Sequence, residues 1–266
     1  MEERVPWKGL PLQLREEFVA RFGLMVRWSE VEYGLNCSAA MVVTTSRSKV
    51  FLKAVRFSNA AQVTGSEFER ALAPLVSQRR VGPPLLARFV VGQWVALVFS
   101  YVDGWHADLG PGSLDLDPVS RVLRTMGGIL TPRSVHLPGL WERYSRFATE
   151  RERGLLVGNS LLHTDTNPLN ILVTDRGREN TAYVVDWAMP ARGPAWVDVA
   201  NTAVRLMEAG HNAREAQAWM EEFPSWRQAE PSAVDAFIRV VCCHRDHAMG
   251  EQAAWKGNLR FRSLVE

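Results

Sequence analysis

Apolar and polar positions alternate in two regimes along the chain, and the change falls near residue 102. "LQLREEFVARF" (12–22) sets Leu14, Phe18 and Phe22 at helical spacing, which predicts a short amphipathic helix. "MVRWSEVEYGL" then turns strand-like and reaches Gly34. "AAMVVTTSRSKVFLKAVRF" reads as two β-rich runs around the polar turn Ser46-Arg47-Ser48. "SEFERALAPLVSQRR" (66–80) is helical, with Ser66 in a capping position and Glu69 at the capping-box spacing. "VGPPLLARFVVGQWVALVFSYV" predicts a second hairpin with Gly92 at its tip. Residues 1–102 therefore predict a β-rich lobe carrying one inserted helix.

Beyond that point the period changes. "DGWHADLGPGSLDLD" (103–117) is loop-like, and helical patterns follow over 118–130, 138–153, 195–209, 213–223 and 231–249. The exception is 161–190, which reads as two short strands, "ILVT" and "TAYVV", with polar loops beside them. The expected architecture is α+β, with a β-rich lobe over 1–102 and a mainly helical lobe over 103–266 that share a cleft.

Composition narrows the classes without choosing among them. The 266 residues suit one large domain or two small ones. With 31 basic against 29 acidic residues and no dense Lys/Arg run, neither a nucleic-acid partner nor a membrane-surface partner is expected. Cys37, Cys242 and Cys243 form neither a disulfide framework nor a metal knuckle, so a reduced, cytoplasmic setting is expected. The acidic, amphipathic start "MEERVPWKGLPLQLREEF" has no signal-peptide core, and no run of about 18 apolar residues predicts a membrane span. H-x-x-H at 244–247 lacks evident third and fourth ligands, and no zinc is expected there.

The chemistry concentrates in "LLHTDTNPLNILVTD" (161–175), where His163, Asp165 and Asn170 interrupt an apolar run. Polar side chains beside such a run cost free energy unless each has a partner. Eleven residues after that stretch, "TAYVV" ends in Asp186-Trp187. Two carboxylates and a carboxamide on loops beside short strands are the set that phosphoryl transfer from Mg·ATP requires. One carboxylate takes the proton of an acceptor hydroxyl, while hard oxygen donors hold Mg²⁺ against the phosphates.

H-x-D-x-x-x-x-N followed by I-L-V and V-D-W resembles the aminoglycoside phosphotransferase (antibiotic kinase) family of the protein-kinase-like fold. "HTDTNPLN" matches the family's H-G-D-x-H-P-x-N at His163, Asp165, Pro168 and Asn170. "VVDWAMPARGPAWVDVA" matches its D-W…G-P…D-L-A segment at Asp186, Trp187, Gly193, Pro194, Asp198 and Ala200. Asn167 stands where the family often has His, and Thr164 where it often has Gly. The resemblance spans about residues 25–240 and is closest to small actinobacterial members. It implies Asp165 as catalytic base, His163 as a brace for its loop, Asn170 and Asp186 as Mg²⁺ ligands, and Asp198 as a structural support of the loop.

The same resemblance implies a lysine in the third strand paired with a helix glutamate to clamp the ATP phosphates. "KVFLKAV" offers Lys53 inside an apolar strand, whereas Lys49 lies at its solvated start. Glu69 precedes Leu72, Ala73 and Val76 on the buried stripe, while Glu67 has Arg70 at +3 and points elsewhere, so Glu69 is the expected partner. "YGLNCSA" (33–39) falls where a phosphate-covering loop belongs but has Gly34 as its only glycine. Backbone groups of Ser100 and Val102 are expected at the adenine.

Only "AMPAR" separates Asp186-Trp187 from Gly193-Pro194, with no A-P-E segment after it, which favours a small-molecule hydroxyl acceptor over a peptide. An antibiotic, nucleoside, sugar or amino alcohol all fit, and resistance is one possible role. The helical region mixes Glu208, Glu215, Glu221, Glu222, Glu230 and Asp235 with Arg205, Arg214, Arg227 and Arg239, and so shows no acidic excess for a polycation. Trp196, Trp219, Trp226 and Trp255 suit helix packing better than a ring-stacking pocket, and His106 with Asp108 suit a solvated loop better than substrate contact. A pseudokinase-like module that holds nucleotide without turnover is the alternative reading. A general acid/base hydrolase ranks third, since it leaves Lys53 and Asn170 unused.

Overall fold

The computed structural model describes residues 4–31, 37–175 and 180–266. The chain divides into two compact units. The first comprises residues 1–104 together with 183–189, and the second 105–182 together with 190–266.

In the first unit α1 (Leu12–Phe22) precedes β1 (Met25–Glu30), β2 (Ala39–Thr45) and β3 (Lys49–Arg56). The long helix α2 (Ala60–Gln78) comes next, then β4 (Leu85–Val91) and β5 (Trp94–Ser100). The strands form one antiparallel sheet ordered β1-β2-β3-β5-β4. Strand periodicity sorts β3 onto two faces. Val50, Leu52 and Ala54 join Leu14, Phe18 and Phe22 of α1 in one core, while Phe51 and Val55 face the other side with Val63 of α2. Lys53 shares the parity of that second face and is 8% exposed.

Helix α2 begins six residues before the expected position. Asn59 caps it by accepting the Gln62 N–H at 3.1 Å, so Ser66 is a buried residue inside the helix and Glu69 is no capping residue. Thr64 and Gly65 are weak helix formers, and that masked the first turns. Gly65, Ser66, Glu69, Leu72, Ala73 and Val76 form the buried stripe. A Cβ at Gly65 would lie 3.0 Å from Ala188 Cβ and 3.1 Å from its carbonyl oxygen, so glycine permits the approach of the 183–189 segment.

The second unit opens with β6 (Trp105–His106) and α3 (Leu116–Gly127). The helix expected over 138–153 is two short ones, α4 (Leu140–Arg143) and α5 (Glu150–Leu155). The break falls before Thr149, which forms a capping box with Glu152 and so starts a new helix. Next come β7 (Ser160–Leu162), β8 (Ile171–Asp175), β9 (Asn180–Val184) and β10 (Ala191–Gly193). Strand β7 pairs with β10, β8 pairs with β6, and β9 carries the chain into the first unit. The remainder is helical: α6 (Val197–Glu208), α7 (Ala213–Met220), α8 (Pro224–Arg227), α9 (Pro231–Met249) and α10 (Glu251–Arg262). A Cβ at Gly158 would lie 2.2 Å from the carbonyl carbon of Gly193, so only glycine lets the backbones at 158 and 193–194 come together. Among the described residues, no helix is long and apolar enough to cross a membrane.

Candidate functional site

Within the first unit, β3 and α2 bring Lys53 and Glu69 together. Lys53 Nζ donates to Glu69 Oε1 at 2.8 Å and to Asp186 Oδ1 at 2.7 Å. Glu69 is 5% exposed. Burial alone would draw the Lys53 ammonium down, but Glu69 and Asp186 outweigh it and hold the amine well above the ordinary lysine range. Burial pushes the Glu69 carboxyl up to about 7, against the pull of Lys53. One ammonium thus bridges two carboxylates, one from α2 and one from the Asp186 turn. Asp186 has φ +65°, a left-handed backbone that aspartate tolerates better than most residues. Trp187 Nε1 donates to the Val184 carbonyl at 3.0 Å and so ties the tight turn on which Asp186 stands. Glu67, the rejected alternative, pairs on the outside of α2 with Arg70 and Arg88.

Ser100 closes β5, where its N–H donates to the Pro84 carbonyl at 2.9 Å. That amide is therefore engaged within the unit, and a ligand would meet other backbone groups of the 100–102 segment. Lys49 lies 3.7 Å from the centroid of the Tyr101 ring, with its ammonium over the ring face. Gly34 and most of the 33–39 stretch lie outside the described residues.

Within the second unit the loop between β7 and β8 is held from beneath by Asp198. This buried carboxylate, in the first turn of α6, accepts the His163 N–H at 2.7 Å and the Thr164 N–H at 2.8 Å. Burial pushes its carboxyl up, opposed by His163 and by those two backbone donors. Thr202 adds bonds to the Asp198 carbonyl and to Thr166 Oγ1, each 2.7 Å. Thr164 takes φ +71°, rare for a β-branched residue, and its Oγ1 accepts from Arg143. The fixed loop presents Asp165, whose side chain is 44% exposed.

Each Asp165 oxygen has a donor. Asn167 Nδ2 donates to Oδ1 at 2.9 Å, and Asn170 Nδ2 donates to Oδ2 at 3.1 Å and to the Asp165 carbonyl at 2.9 Å. Asn167 also caps the turn Pro168–Asn170 through the Leu169 N–H. His163 is buried, and its Nδ1 accepts the Asp165 N–H at 3.3 Å. An exposed carboxylate on a braced loop can accept a proton from a hydroxyl group. The carboxamide of Asn170, with its nitrogen turned to Asp165, can offer its oxygen to a metal ion.

The residues singled out in the sequence thus fall into two groups. Lys53, Glu69 and Asp186 meet in the first unit, and His163, Asp165 and Asn170 in the second. Arg205 and Arg143 touch the loop at Asp165 and Thr164; in the sequence Arg205 falls in a mixed-charge, solvated helix face, and Arg143 is not singled out. Trp196 packs edge-on against Trp226 and Phe237, and Trp219 against Phe223, as core residues. Trp255 is exposed on α10. His244 packs on Tyr144 and Phe147, and His247 on Phe147. Asp108 accepts the Gly110 N–H within its own loop, and His106 is exposed on β6. Among the described residues, no group of three or more His, Cys, Asp or Glu side chains gathers as a metal site.

Residues 133–232, which contain the braced loop, Asp186 and α6, match the sequence profile of the phosphotransferase enzyme family. No curated protein matches the chain. Solved structures share the fold over nearly the whole length. The choline kinase LicA of Streptococcus pneumoniae aligns with a TM-score of 0.63 at 11% identity, covering 94% of this chain and 98% of that one. The aminoglycoside phosphotransferase APH(3'')-Id of Streptomyces rimosus, solved with ADP and streptomycin, aligns with a TM-score of 0.60 at 18% identity, over 97% and 99% of the two chains. A microcompartment-associated aminopropanol kinase gives 0.57 at 14% identity, over 96% and 95%. The chain therefore has the protein-kinase-like fold of the aminoglycoside phosphotransferases, and it resembles that family in sequence where the polar loop lies.

Proposed function

We propose that the protein is an ATP-dependent phosphotransferase that moves the γ-phosphoryl group of Mg·ATP to a hydroxyl group of a small molecule. The observation that carries this reading is the Lys53 ammonium held at 2.8 and 2.7 Å by carboxylates from α2 and from the Asp186 turn. A buried lysine kept charged and aimed by two partners from distant parts of the chain is suited to phosphate oxygens.

Lys53 would bind the nucleotide phosphates, with Glu69 fixing its direction. Asp165 would orient the acceptor hydroxyl and take its proton as the hydroxyl oxygen bonds to phosphorus and the bridging oxygen leaves with ADP. Asn170 and Asp186 would hold Mg²⁺. A carboxamide oxygen and a carboxylate fit that ion, which prefers a few hard protein oxygens beside water and phosphate. When bound, the ion neutralises charge on the phosphate oxygens. His163 and Asp198 would hold the loop in place without touching the reacting atoms. The 100–102 segment, including the Val102 backbone, would meet the adenine. The cytoplasm, where ATP is supplied, is the setting this reading implies.

The test is ADP release with mass spectrometry of products across hydroxylated antibiotics, nucleosides, sugars and amino alcohols, beside Asp165→Asn. A phosphorylated product lowered by about 10²–10⁴-fold in the variant, with the thermal shift by Mg·ATP retained, is the expected result. Nucleotide binding without turnover in either protein would instead favour a regulatory module. Absence of both would overturn the kinase reading.

A further inference from the structure

We infer that the acceptor carries an anionic group next to the hydroxyl that reacts, and that Arg205 recognises it; this rests on Asp165 being the proton acceptor. Arg205 on α6 places Nη2 3.8 Å from Asp165 Oδ1 and Nη1 2.7 Å from Glu208 Oε2. The longer distance is an ion-pair approach without a hydrogen bond, so the Nη2 edge toward Asp165 is not held by that carboxylate. Asp165 Oδ1 already accepts from Asn167 at 2.9 Å and does not need the guanidinium for its own satisfaction. The Arg205 side chain is 32% exposed, accessible to a ligand and partly shielded from water.

Other charged groups among the described residues lie on neighbouring elements. Glu208 is shared between Arg205 and Arg260 of α10, the second contact being 4.0 Å. Arg143 reaches the same loop through Thr164 Oγ1, and the nearby Asp198 carboxylate is buried with its oxygens turned to backbone N–H groups. Of these described groups, the Arg205 guanidinium is the one that approaches Asp165, and its other edge pairs with Glu208. A hydroxyl reaching Asp165 comes within about one ion-pair length of Arg205. A carboxylate or phosphate beside that hydroxyl would pair with the Nη2 edge, whereas an ammonium placed at that edge would be repelled by the guanidinium. The acceptor class is therefore a hydroxy acid, a sugar acid or a phosphorylated alcohol, and an amino alcohol or polycationic sugar is disfavoured.

Two series vary charge at similar size: glucuronate, glucose and glucosamine on one ring, and glycerate, glycerol and 3-amino-1,2-propanediol on a short chain. ADP release by the intact chain with Mg·ATP is recorded against the concentration of each. The acidic member of a series is expected to change the rate, by accepting phosphate or by displacing water as acceptor, at about fivefold lower concentration than the neutral one. The cationic member is expected to act last. Arg205→Gln should abolish that order through apparent KM with little change in kcat, Arg205→Glu should reverse it, and Arg205→Lys should retain it. A merely structural arginine would lower the melting temperature in all three variants and leave the order unchanged. No response, an equal response or a cation-first order in the wild type overturns the inference while ADP release and its loss in Asp165→Asn leave the kinase reading standing. Absence of both ADP release and nucleotide binding removes that reading instead, and the inference with it.

Discussion

The Asp198 carboxylate accepts the backbone N–H of His163, 35 residues earlier, at 2.7 Å while its other oxygen takes the N–H of Thr164. A single buried side chain thereby fixes the direction of the peptide from which Asp165 projects. Asp198→Asn keeps the volume but presents an amide nitrogen to a backbone donor. One N–H is left without an acceptor, and the expected loss is about 2–3 kcal/mol of unfolding free energy. Urea denaturation followed by tryptophan fluorescence measures it. An unchanged midpoint would show that the two N–H groups find other acceptors.

Lys53 and Glu69 are expected to couple. Lys53→Met removes the ammonium that Glu69 and Asp186 share, and both stability and turnover should fall, turnover by about 10²–10³-fold. Adding Glu69→Gln removes the orphaned charge. The double variant should recover part of the lost stability, with an interaction energy of about 1–3 kcal/mol in the cycle. Additive losses would show that the two side chains do not act as a unit.

The same pair sets a pH dependence. Glu69 titrates near 7 in the fold and near its ordinary value of 4.5 in the unfolded chain. The folded state therefore holds the proton more tightly, and this group's contribution to stability is full below pH 4.5 and lost as pH rises through 7. Turnover runs the other way, since protonation removes the anion that steers Lys53. The expected result is a rate that falls on acidification through pH 7 and a profile flattened in Glu69→Gln. Unfolding free energies at pH 5.5 and 8 should differ less in the variant than in the wild type.

Thr164 offers a test of backbone strain free of side-chain chemistry. Thr164→Ala and Thr164→Gly both delete the hydroxyl that accepts from Arg143, and only glycine takes φ +71° without cost. Glycine should be the more stable of the two by about 1 kcal/mol, the reverse of the order in a helix interior. Thermal melts of the two variants give the comparison. Alanine at or above glycine would show that the strain is relieved elsewhere.

Much of the fold could be read from the chain because local periodicity agreed with tertiary packing. Helix α1 and strands β2 and β3 fall on the segments where spacing put them. Lys53 was legible as a charge inside an apolar strand, and Glu69 through its place on the stripe of α2. The start of α2 was hidden because Asn59 caps a turn made of weak helix formers. The break between α4 and α5 was hidden because Thr149 and Glu152 continue a helical composition while restarting the helix. Arg205 had no local signal at all. Its approach to Asp165 depends on how α6 lies against a loop 35 to 40 residues earlier, and at three residues from Glu208 it reads as an ordinary exposed pair.

The residues 183–189 have a consequence for how the chain matures on the ribosome. Asp186 reaches Lys53 from 133 residues further along, yet it belongs to the same compact unit. When residue 104 has been synthesised, the sheet and α2 are complete, but Lys53 still lacks its Asp186 partner. The Val184 N–H that bonds to the Val81 carbonyl at 2.7 Å, and the Ala188 segment that lies against Gly65, arrive only after more than half of the second unit. The first unit to emerge is thus the one that must wait, and a fragment cut at residue 104 would lack a piece of its own interior.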